Sequence, residues 1–168
     1  PMDSGVLTPE NFLDYTGKTE GNHWDFTRFI PKLFQHIEKC IRRLGELGIE
    51  AVLIMMHPYD RWGFSQMTKE QDDLYWNYAV ARFSAFANVW WSLANEYDLM
   101  PHKAIQDWER YASILCEKDP YHHMRSIHNC VSLYDFSRPW ITHCSVQRTD
   151  LYKSSEITNE LRERYHKP

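Results

Sequence analysis

Two apolar runs that end abruptly in polar residues organise the chain. Ile49 to Met56 runs nearly unbroken and stops at His57-Pro58-Tyr59-Asp60-Arg61-Trp62-Gly63. Val89 to Ala94, opened by Asn88, breaks into Asn95-Glu96-Tyr97-Asp98. Continuous apolar runs bounded by turn signals predict strands buried on both faces. Amphipathic stripes alternate with them. Pro31 suits a first helical position, Leu33, Ile37, Ile41, Leu44 and Leu47 follow at spacings of three and four, and Gly48 ends the helix. Thr68 to Gln71 reads as a capping box opening a helix with Trp76, Val80, Phe83 and Ala87 on one face. Lys103 to Lys118 places Ile105, Trp108, Ala112 and Leu115 in register, and Asp119-Pro120 stops it. Shorter strands are expected at 125–127 and 140–146. A last helix capped by Ser154 or Ser155 carries Ile157, Leu161 and Tyr165.

Helices alternating with strands predict an α/β fold with a parallel sheet. Pro1 to Gly21 has no sustained period, so residues 1–22 read as an irregular arm and 23–168 as one domain. Only about ten residues separate His128 from Pro139, the low edge of a parallel crossover, and a single helical turn is expected near Ser132 to Phe136.

The strand ends carry the chemistry. His57 with Asp60 and Arg61, Asn95 with Glu96, His128 with Asn129, and His143 all fall there. In a parallel sheet those ends point one way, so the groups are expected to share a mouth. Glu96 follows a Trp-rich strand, and apolar surroundings favour a protonated carboxyl. Such a group can protonate a leaving oxygen, the acid step of glycoside cleavage. Asn95 is placed to bind a substrate hydroxyl, and Tyr59, Trp62 and Tyr97 offer stacking faces.

Composition narrows the partners. Seven Trp, ten Tyr and eight Phe suit stacking on flat ligands such as sugar rings. A net charge of −4 predicts neither nucleic acid nor anionic lipid as partner. No apolar run approaches the ~18 residues of a membrane span, and no signal peptide is expected. Cys40, Cys116, Cys130 and Cys144 form no C-x-x-C motif. Buried free thiols are expected, with a cytoplasmic location. No cofactor is expected.

The stretch W-W-S-L-A-N-E-Y-D resembles the acid/base strand of retaining glycoside hydrolases with a (β/α)8 barrel, whose fourth strand ends in Asn-Glu. H-P-Y-D-R-W-G-F at His57, R-S-I-H-N at Arg125 and P-W-I-T-H at Pro139 are similar to one bacterial branch, labelled apiosidase-like or endoglucanase. The resemblance covers roughly residues 23 to 150. It implies a partial TIM barrel, about strands three to six. In it Glu96 is acid/base, Asn95 holds the sugar 2-hydroxyl, and His57, His128 and His143 line the subsite of the sugar being cleaved. Tyr59, Asp60, Arg61, Trp62 and Tyr97 complete the expected carbohydrate-binding set.

A full barrel takes ~250 residues. The family's nucleophile ends strand seven, beyond any strand predicted here, so it is expected outside this chain. Asp98 and Glu109 do not sit at strand ends, and Asp60 is the internal candidate. A partial barrel exposes apolar edges, so self-association, or a missing remainder of the barrel, is expected. Two alternatives compete: a metal-dependent hydrolase using His57, His128 and His143, and a non-catalytic carbohydrate-binding or interaction module.

Overall fold

The computed structural model describes residues 25–59, 64–148 and 155–168. The expected N-terminal arm therefore lies outside the described residues, as do Asp60, Arg61 and Trp62. Helix α1 (Pro31–Glu46) leads into β1 (Ala51–Ile54), α2 (Lys69–Phe83) into β2 (Val89–Ser92) and α3 (Ile105–Lys118) into β3 (Arg125–Ser126). Helix α4 (Glu156–Tyr165) follows. The three strands form one parallel sheet in the order β1-β2-β3, the α/β arrangement that the alternation predicts.

Local chemistry sets the boundaries. Pro31 starts α1, and its end is a Schellman turn. Gly48 N–H donates to the Gly45 carbonyl and Ile49 N–H to that of Leu44, with Gly48 at φ +72°. No atom lies within 4 Å of a Cβ built at Gly48. Gly48→Ala should therefore cost about 1 kcal/mol through left-handed backbone strain alone. A denaturation midpoint equal to wild type would refute that. At Gly45 a Cβ would instead meet the Asn88 amide at 3.0 Å. That closeness lets Asn88 Nδ2 donate to the carbonyls of Ile41 and Ile49, tying the start of β2 to α1 and β1. Thr68 and Gln71 form the predicted capping box of α2.

Register divides the sheet into two faces. Ala51, Leu53, Val89 and Trp91 lie on one, Val52, Ile54, Trp90 and Ser92 on the other. The first face is packed. Trp91 is fully buried and its indole donates to Asp119 at the end of α3. Trp76 of α2 stacks on Tyr111 of α3 at 4.9 Å in the same core. The second face is open at β1, where Val52 and Ile54 are each 55% exposed. The Ile49 to Met56 run is thus buried on one face only, a correction to the two-faced burial expected. β1 is an edge strand, and no described element covers that side.

Several expectations change for identifiable reasons. The strand expected at 140–146 is reduced to a single parallel bridge between His128 and Ser145. One backbone bond remains, from Thr142 N–H to the Arg125 carbonyl, and side chains take other places in the ladder: Thr142 Oγ1 accepts from the Arg125 N–H, and Ser126 Oγ donates to the His143 carbonyl. No helical turn forms at 132–136, because the Asp98 carboxylate takes the N–H groups of Cys130, Val131 and Ser132. Helix α2 ends at Phe83, leaving Ala87 exposed in the following turn. Leu47 and Ile105 are exposed at helix termini. Ser155 precedes α4 without a side-chain capping bond. All four cysteines are free, but Cys40 and Cys116 lie on exposed helix faces and Cys130 and Cys144 are half-buried. Among the described residues no helix is long and apolar enough to cross a membrane.

Candidate active site

Hydrogen bonding between strands continues past the ladder and places Glu96. Asn95 N–H donates to the Met56 carbonyl beyond β1, at 2.9 Å. Tyr97 N–H donates to the His128 carbonyl beyond β3, and His128 N–H to that of Ala94, both at 3.0 Å. Glu96 sits between these anchors at φ 49°, ψ 53°, a left-handed conformation that costs a side-chain-bearing residue about 1–2 kcal/mol. The bend turns its carboxyl into the mouth at the sheet's C-terminal end, and the residue as a whole is only 6% exposed.

Both carboxyl oxygens accept hydrogen bonds. The Tyr59 hydroxyl donates to Oε2, and Gln147 Nε2 donates to Oε1 at 3.2 Å. The phenol of Tyr59 is held above its ordinary pKa chiefly by that bond to Glu96. Tyr59 is 62% exposed and its ring lies 6.2 Å from that of half-buried His57. It therefore serves Glu96 through its oxygen while keeping a ring open to solvent. Cys130 also borders the carboxyl, and burial first, then the charges of Glu96 and Asp98, push its thiol up.

The other predicted residues divide. Asn95 is half-buried, and its side chain makes no hydrogen bond among the described residues. His128 joins the site through Gln147: its Nε2 lies 3.3 Å from Gln147 Oε1 and its Nδ1 2.9 Å from Ser145 Oγ. His143 leans on Trp90 at 5.5 Å and bonds Thr142, and burial lowers its pKa. Tyr97 turns away from the mouth into the core, packed edge-on against Trp108 and Tyr134. It offers no stacking face there, contrary to expectation.

Gln147 is the residue that the sequence reading missed. It stands one position past the predicted end at Val146, so the strand-end rule reaches it once the boundary is moved by one. Asn129 is 1% exposed and holds the Gln147 backbone from both sides, with Nδ2 to the carbonyl and Oδ1 from the N–H.

Among the described residues, the two other acids weighed above, Glu109 and Asp98, are engaged elsewhere. Glu109 accepts from Tyr134 and Trp140. Asp98 clamps residues 130–132, as described above. Burial raises the Asp98 carboxyl, but the three backbone donors outweigh it and hold the group below the ordinary carboxylate range. A depressed folded value means stability that is present above the unfolded value of about 4 and lost as pH falls through the folded one. Asp98→Ala should cost about 2 kcal/mol at pH 7, and its difference from wild type should shrink in acid below that value. A difference independent of pH would refute this account. Among the described residues, no three His, Cys, Asp or Glu side chains are grouped to hold a metal ion.

A parallel α/β sheet with a buried glutamate at the C-terminal end of its middle strand matches part of a glycoside hydrolase fold. The chain belongs to the family of apiosidase-like catalytic domains, whose profile matches residues 5–168. A solved structure described as "a putative glycoside hydrolase from Bacteroides vulgatus ATCC 8482" superimposes with a TM-score of 0.83 at 45% sequence identity. The match covers 90% of this chain and 31% of that one, so this chain spans about a third of its relative. No functionally curated protein matches the chain.

Proposed function

We propose that this chain carries the acid/base half of a retaining glycosidase site on a partial (β/α)8 barrel, about strands three to six. Glu96 protonates the departing glycosidic oxygen and then deprotonates the incoming water. Asn95, whose amide is uncommitted among the described residues, holds the sugar 2-hydroxyl. Tyr59 and His57 border the same subsite. The nucleophilic carboxylate comes from outside this chain, a reading supported by the much greater length of the solved relative. The observation that carries the proposal is Glu96 itself, a residue 6% exposed in a left-handed bend, with a donor on each carboxyl oxygen.

Full-length protein should hydrolyse at least one member of an aryl glycoside panel, with the first product anomer retained when followed by proton NMR. Inversion would overturn the retaining mechanism. Saccharide binding without turnover would favour the carbohydrate-binding module instead.

A further inference from the structure

Resting on the acid/base reading of Glu96, we infer that Gln147 is the positioning residue that sets the attitude of its carboxyl, with His128 fixing the glutamine amide in turn. In the ionised form that awaits a proton, Glu96 can only accept, so the group facing its Oε1 at 3.2 Å is then the amide nitrogen of Gln147. Gln147 Oε1 then faces His128, whose Nε2 at 3.3 Å must carry a proton. In neutral His128 the other ring nitrogen accepts, and the Ser145 hydroxyl at 2.9 Å supplies its proton. With Glu96 ionised, one orientation of the amide serves both neighbours, its N–H on the carboxylate and its oxygen on the Nε2–H of His128. A flipped amide would set oxygen against the carboxylate, so the amide is held one way round between Glu96 and His128.

The backbone of Gln147 is equally fixed. Asn129 bonds its carbonyl at 3.3 Å and its N–H at 3.2 Å, so the side chain starts from a rigid base. The same amide nitrogen also lies 3.8 Å from Cys130 Sγ, a weaker contact that leaves Glu96 its principal acceptor. Glu96 needs this support. Its bend aims the carboxyl, but three side-chain torsions remain free, and Tyr59 holds Oε2 from an exposed position. A misplacement of ~1 Å at a reacting group can cost on the order of 100-fold in rate.

The test joins a spectroscopic and a kinetic measurement on the full-length protein. The side-chain amide resonances of Gln147 are assigned by their disappearance in Gln147→Met. They should shift in Glu96→Gln and again in His128→Ala, while the other glutamine amides stay in place. In turnover, Gln147→Met should lower kcat by about 10- to 100-fold for glycosides with poor leaving groups, with little change in KM. Good leaving groups need less acid assistance, so their loss should be much smaller. Gln147 amide resonances unmoved in both variants would overturn the inference, whether or not the protein turns over. So would leaving-group dependence equal to wild type in Gln147→Met while Glu96→Gln is inactive. Full turnover by Glu96→Gln would instead sink the acid/base reading.

Discussion

Glu96→Gln should lower turnover of an aryl glycoside with a poor leaving group by about 10²- to 10⁴-fold, the range for removal of a positioned general acid. Glutamine preserves the side-chain length and an oxygen for Gln147 Nε2, so the variant should fold as wild type does. It cannot deliver a proton to a departing alkoxide. The defect should therefore be graded by leaving group, steep for poorly acidic phenols and shallow for nitrophenols. Pre-steady-state kinetics should show a glycosyl-enzyme that forms from the nitrophenyl substrate and persists, because the base that activates water is also gone. A loss below tenfold on poor leaving groups, in a variant with unchanged melting, would remove Glu96 from the reaction.

The second large effect concerns stability. Asp72, in the first turn of α2, and Lys103, just before α3, have side chains 2% and 3% exposed and are paired at 2.7 Å. Lys103 Nζ also donates to the Met67 carbonyl at 2.9 Å, and Asp72 accepts from Tyr111 at 2.5 Å and from Arg110 at 3.4 Å. Lys103→Met leaves the carboxylate buried without its ammonium, at a cost of about 3–5 kcal/mol. Burial already raises the Asp72 carboxyl, outweighing its bond to Lys103, and loss of the cation raises it further. For an acid with a raised folded value, the folded state binds the extra proton, so stability falls as pH rises from the unfolded value through the folded one. The cost of Lys103→Met should accordingly be largest at neutral pH and shrink toward pH 4, near the unfolded carboxyl value. Adding Asp72→Asn should restore part of the loss. A penalty equal at both pH values and unaffected by the second substitution would assign it to packing alone.

These two sites differ in how far the sequence discloses them. The place of Glu96 just past β2 is legible because the apolar run there breaks abruptly into Asn-Glu. The helix starts at Pro31 and Thr68 and the stop at Gly48 are likewise local, decided by residues that touch one another along the chain. The Asp72–Lys103 pair is invisible for the opposite reason. Its partners come from separate segments, Asp72 from α2 and Lys103 from the turn before α3, and a charge beside an amphipathic helix is ordinarily solvated. The inward turn of Tyr97 is not legible, because it follows a left-handed bend at Glu96 that nothing in the local sequence signals. The strand expected at 140–146 reads as apolar and β-branched, but Thr142 and Ser126 take over backbone bonds that a ladder would make. Gln147 lies in a partner segment whose register only the folded sheet defines.

The left-handed backbone at Glu96 has an evolutionary corollary. A glutamate is a poor occupant of that conformation, whereas glycine adopts it without penalty. Selection for stability alone would replace it, and only selection for the carboxylate opposes that drift. A paralogue released from catalysis should therefore lose this residue early and become more thermostable in doing so, carrying glycine or asparagine at the equivalent bend. On the acid/base role proposed for Glu96, catalysis and folding compete at this one codon, and the residue that occupies it records which of the two has been under selection.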